Sequence, residues 1–187
     1  MSYPVFASGD VLTASDMNAV GLWLVKTVTI PASPVSTAVD VTSCFSADYE
    51  NYQVVYTAQG NGSAVFHNLQ MLSGTTPAAS LYYRNGTTMT SNSTTVAGNA
   101  AANTASFDLG AQQAATEEFS GIINFQFPFA ARQTAIQGYE STFASGFGYN
   151  YTFQGCHAVN TSYNGFRISV STGSFNTGSI RVYGLRN

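Results

Sequence analysis

Charge is what this chain has least of. Lys, Arg, Asp and Glu make up 8% of its 187 residues, Lys26 is the single lysine, and the net charge is −3. The five arginines are scattered and form no basic stripe for a phosphate backbone to follow, so nucleic-acid binding is not expected. No run approaches the roughly 18 apolar residues of a membrane helix, and the opening MSYPVFASGD has neither a basic n-region nor an apolar h-region. The chain therefore reads as soluble, with no membrane insertion and no secretion signal. Cysteine is nearly absent as well. Cys44 and Cys156 are far apart, make no disulfide framework and match no metal spacing, so two free thiols are favoured over a bridge.

Catalytic letters are equally sparse. The two histidines, His67 and His157, sit in no local signature of a nucleophile, and no G-x-S-x-G elbow occurs. Glu117 and Glu118 are neighbours whose side chains diverge on an extended chain. Asp108 and Glu140 could form a glycosidase pair only if the fold joined them, and nothing in the sequence supports that. His157 beside Cys156 diverges in the same way and lacks further ligands. No Gly-rich phosphate loop precedes a helix, so neither cofactor nor metal is expected, and the chain does not read as an enzyme.

In place of charge there are Ser, Thr, Asn, Gln and Gly, together with 44% hydrophobic residues and 13% aromatics, nearly all Phe and Tyr. That excludes disorder and suits short strands joined by Gly and Asn turns. A nearly uncharged surface resists association poorly, so much of it is expected to be covered by other subunits. An ordinary polar β-domain is the alternative.

The period of two is plainest at the end of the chain. Phe166, Ile168 and Val170 alternate with polar residues, and after a break over 172–178 so do Ile180 and Val182, which reads as a closing β-hairpin. Earlier strands are expected over 23–30, 37–42, 52–58, 64–72, 105–109, 119–127, 133–140 and 146–154. Residues 43–51 read as a turn or short helix, 111–118 as a helical turn, Asn85-Gly86 as a turn, and the Thr/Ser/Asn/Ala stretch 87–104 as the longest loop. Roughly ten strands in one domain point to an all-β, antiparallel two-sheet β-sandwich of jelly-roll type over residues 21–187. Residues 1–20 differ. Thr13 can cap a short helix with Asp16 in its first turn and Leu12, Met17 and Val20 on one side, which makes the segment either an attachment device or a local cap.

Phe147, Tyr149, Tyr151 and Phe153 fall on one side of their strand. They form either inner-face core or an exposed platform for a sugar ring or a neighbouring subunit.

Three segments carry a resemblance. Phe6-Ala-Ser-Gly-Asp-Val-Leu-Thr-Ala-Ser-Asp-Met-Asn18 resembles the opening of many tailed-bacteriophage tail-fibre and minor structural proteins. Cys44-Phe-Ser-Ala-Asp-Tyr-Glu-Asn-Tyr52 is similar to an F-S-x-x-Y-D-N-Y element of the same proteins, with Glu50 where Asp is more usual. Ser179-Ile-Arg-Val-Tyr-Gly-Leu-Arg186 looks like their closing strand. The resemblance implies a virion component assembled in the bacterial cytoplasm, a homotrimer attached through Phe6, Val11, Leu12, Met17 and Asn18 to other virion proteins, with its β-sandwich outward. A short tail fibre or receptor-binding subunit contacting a host glycan is the first expectation. A capsid decoration or head-fibre protein is the second, since no heptad or repeat supplies a shaft. A polysaccharide depolymerase comes last.

Overall fold

The computed structural model describes residues 21–32, 36–62, 65–112, 117–144 and 147–185. Every helix or strand assigned within them is a strand: β1 (Leu22–Ile30), β2 (Ala38–Val41), β3 (Asn51–Gly60), β4 (Val65–Ser73), β5 (Thr76–Pro77), β6 (Tyr82–Thr90), β7 (Val96–Thr104), β8 (Phe107–Gln112), β9 (Glu118–Gln126), β10 (Thr134–Ala144), β11 (Phe147–His157), β12 (Gly165–Val170) and β13 (Phe175–Leu185). The expected N-terminal helix, with Phe6, Val11, Leu12, Met17 and Asn18, lies outside the described residues.

The strands form two antiparallel sheets. The larger has the order β1-β13-β3-β9-β10-β11-β6-β7, and the smaller runs β2-β12-β4-β5 with β8 also on β4. Alternation gives each sheet one apolar face, and both faces feed a single core. Val54, Tyr56, Ile123, Phe125, Ile180 and Val182 come from the large sheet, and Leu69, Met71, Phe166 and Ile168 from the small one.

The connection 42–50 closes one end of that core. Phe45 packs edge-on to Tyr52 and stacks on Phe166, and the Tyr52 hydroxyl accepts from the Ser46 amide and donates to the Ser46 carbonyl. Tyr49 lies over Gly184, where an added Cβ would stand 2.4 Å from the ring. Glycine at 184 is thus required by the tyrosine above it.

Four expectations are corrected. The closing segment is not a hairpin: β12 pairs with β2 and β4 in the small sheet, whereas β13 pairs with β1 and β3 in the large one. Both apolar faces point inward, but from opposite sides of the core. The stretch expected as the longest loop is two paired strands, β6 and β7, and Asn85-Gly86 lies inside β6 instead of turning the chain. Ladder hydrogen bonds to β11 supply the order that side-chain bulk does not. The described residues form thirteen strands, where roughly ten were expected. Of the helical turn expected over 111–118, residues 113–116 lie outside the described residues, and its flanks belong to β8 and β9.

Candidate functional site

A polar cluster lies inside the core. β3, β9 and β10 place Tyr56, Gly121 and Glu140 in one row across the large sheet. Gly121 carries no side chain to block the row, since a Cβ there would stand 2.5 Å from the Tyr56 hydroxyl. That hydroxyl crosses to Glu140 Oε2 at 2.8 Å, and His67 Nδ1 reaches Oε1 from the opposite sheet at 2.7 Å. Glu140 and His67 are fully buried. The His67 ring stacks on Phe119, with centroids 3.8 Å apart, and its buried Nε2 has no hydrogen-bond partner among the described residues. Burial, with the Glu140 charge beside it, holds the Tyr56 hydroxyl well above its ordinary pKa.

Sequence reasoning missed this cluster. Its one signal was a histidine at an inward position of β4, between Val65 and Leu69. The geometry orients an imidazole against a carboxylate, but the dyad is sealed from solvent. Asp108 does not join Glu140; it pairs with Arg84. His157 is also internal, with Nε2 3.0 Å from the Ser80 carbonyl and Nδ1 3.1 Å from the Tyr163 hydroxyl. Among the described residues no group of three or more His, Cys, Asp or Glu side chains could hold a metal ion. Both cysteines are free thiols, Cys44 buried and Cys156 partly exposed.

The aromatic ladder lies on the inner face of β11. The register sets Tyr149 opposite Thr142, Tyr151 opposite Glu140 and Phe153 opposite Gly138. Phe153 is buried in the core, whereas Tyr149 and Tyr151 are half-buried and stack with centroids 6.3 Å apart. Phe147 begins the strand, and its side chain lies outside the described residues. Here the large sheet extends past the small one. The overhang leaves a groove of about 280 Å³ between β8 and the β11-β6-β7 edge, with Tyr149, Tyr151, Thr88 and Asn99 on one side and Phe66 and Asp108 on the other.

The outer face of the large sheet carries rows of residues that are all exposed or half-buried. Registers across β13, β3, β9, β10, β11 and β6 define three rows: Ser179, Thr57, Ser120, Ser141, Asn150 and Met89; Arg181, Val55, Ile122, Tyr139, Thr152 and Thr87; and Tyr183, Gln53, Asn124, Gln137, Gln154 and Asn85. Arg181 is the only charge in them. Tyr139 is half exposed, and Phe143, farther along β10, is 70% exposed. At the sheet edge, β1 pairs among the described residues with β13 alone and exposes Leu22, Leu24 and Val25.

Compared with known families and curated proteins, the chain matches no family model and no curated protein.

Proposed function

We propose that this chain is a structural protein of a tailed-bacteriophage virion, a short tail fibre or receptor-binding subunit that attaches through residues 1–20 and turns its β-domain outward as a homotrimer. The observation that carries the reading is the contact between two of the three segments bearing the resemblance. Tyr49 of Cys44–Tyr52 packs on Gly184 of the closing strand, and Tyr52 is registered opposite Gly184. The residues of these two segments therefore belong to one structural feature.

The fold belongs to the same proposal as a jelly-roll sandwich. Its support is the pairing of β1 with β13, β2 with β12, β3 with β9 and β4 with β8. This is one long antiparallel ribbon. Rolling it brings β13 beside β3 and β12 beside β4, pairings that are also present. β6–β7 and β10–β11 are insertions that widen the large sheet, and β5 is added to the small one beside β4. Attachment is supported by β1, which among the described residues is an edge strand with one side free of a partner and which exposes Leu22, Leu24 and Val25 immediately after the N-terminal segment, since such an edge invites pairing with another chain.

Immunogold labelling of intact virions tests the reading. Gold at the tail supports the fibre, whereas gold over the head makes the chain a capsid decoration protein, the reading favoured by the lack of a shaft sequence. Deleting residues 1–20 should abolish incorporation, and a truncated chain that still assembled would sink the attachment role. Light scattering should give three times 19.8 kDa; a monomer would count against the trimer.

A further inference from the structure

We infer that the outer face of the large sheet is a binding site for an uncharged polysaccharide, read by a row of amide side chains. The inference rests on the host-facing role proposed above. Gln53, Asn124, Gln137, Gln154 and Asn85 stand on five adjacent strands, β3, β9, β10, β11 and β6, each registered opposite the next. Adjacent strands are about 4.8 Å apart, so the row is a straight track that presents an amide at every strand.

Each amide has two N–H donors and one carbonyl acceptor. Gln53 Nε2 donates to Asn124 Oδ1 at 3.1 Å at one end of the track. Farther along, Gln137, Gln154 and Asn85 are exposed and hold no side-chain bond to another described residue. The track runs into a shallow depression of about 430 Å³, to which Gln126 adds another amide, Tyr83 a ring and Cys156 a thiol. Tyr83 is 40% exposed, and Tyr139 in the next row 50%.

The chemistry selects the ligand class. Neighbouring hydroxyls of a sugar donate and accept together, which is what an amide requires, and the apolar C–H face of a pyranose lies against a tyrosine ring. A protein partner fits less well. Interface cores favour aromatic and apolar residues, and consecutive amides under a protein would each need a matched bond or be left unsatisfied. A charged glycan finds no counter-charge in the row: Arg181 stands one row away at the β13 end, and Arg84, which also lines the depression, is paired with Asp108. Binding should therefore change little with salt.

The test uses the purified full chain and an array of neutral bacterial and plant polysaccharide fragments, with uronic-acid polymers as charged counterparts. Hits are followed by titration while the side-chain NH₂ resonances of Gln137, Gln154 and Asn85 are observed by NMR. The expected result is binding to neutral fragments, shifts in those resonances, and at least about a tenfold loss of affinity in Gln137→Leu and Gln154→Leu. Alkylation of Cys156 should also slow in the presence of ligand.

Three results would overturn the site. One is no binding to any neutral fragment. Another is binding that survives both glutamine changes but is lost in Tyr149→Ala, which would move the site to the inner groove. The third is a face already covered by a second copy, seen as Cys156 protection without glycan and dissociation of the oligomer by Gln154→Arg. Because binding is read on purified protein, its failure is separable from failure of the virion role, which the gold labelling reports.

Discussion

Glu140 and His67 meet at 2.7 Å in the core, and neither side chain reaches solvent. A carboxylate held there by His67 and Tyr56 is costly to strand, because removing one partner of a buried pair leaves the other unsatisfied. Glu140→Ala should cost about 3–5 kcal/mol of unfolding free energy in urea, and His67→Ala should cost a comparable amount. A double change of His67 to Phe and Glu140 to Leu should recover much of that loss. If the double variant were as unstable as the sum of the single ones, the two residues would not be coupled.

Gly121 gives the Tyr56 hydroxyl its passage to Glu140, and a Cβ there would also stand 2.6 Å from the Tyr139 carbonyl. Gly121→Ala should therefore destabilise by about 1–3 kcal/mol through overpacking. The cost should shrink in a Tyr56→Phe background, where the hydroxyl is gone, without vanishing. A double-mutant cycle measures this, and strict additivity would refute the passage.

His157 should make stability fall with acid. Burial holds its pKa below the ordinary 6.5, opposed by the bond to the Ser80 carbonyl. The bonds at both ring nitrogens suit a neutral imidazole: Nε2–H donates to Ser80, and Nδ1 accepts from Tyr163. The unfolded ring takes up a proton that the folded ring refuses. The stabilising contribution is thus complete above pH 6.5 and fades as pH drops toward the lower folded value. Urea midpoints should decline more steeply between about pH 7 and 5.5 in the wild type than in His157→Gln. Parallel curves would exclude His157 as the cause.

The two thiols should differ sharply in reactivity. Burial pushes the Cys44 thiol up to about 12, against a smaller opposing pull from Lys26, and its S–H donates to the Val41 carbonyl. Since the thiolate is the reactive form, iodoacetamide at about pH 8 should label Cys156 alone in the native protein and both residues in urea. Mass spectrometry of peptides decides this, and equal native labelling would mean that the closed end opens readily.

Much of the fold was legible because strand periodicity is a local property. The strands expected over 119–127 and 52–58 correspond closely to β9 and β3. Partner choice is not local. Nothing in Phe166 to Val182 distinguishes two strands that pair with each other from two that face each other across a core, because both arrangements need the same alternation. The stretch 87–104 failed for a different reason. Threonine, alanine and asparagine carry little hydrophobic signal, and these strands are set by backbone pairing, β6 to β11 and β7 to β6. The amide row was invisible because its members are separated in sequence and are neighbours only through register. The His67–Glu140–Tyr56 cluster was hidden likewise, since it joins three strands from two sheets.

The placement of β12 and β13 also sets a schedule for synthesis. β13 stands between β1 and β3, and β12 between β2 and β4. Strands made first on the ribosome cannot complete either sheet until those made last have emerged. β1 must wait through the synthesis of residues 31–174 before its partner β13 exists, a condition that slows folding and favours aggregation. A chain stalled before Phe175 would leave β1 without its strand partner, so we expect nascent chains of that length to be protease-sensitive and bound by chaperones, and resistance to appear only once β13 has cleared the exit tunnel.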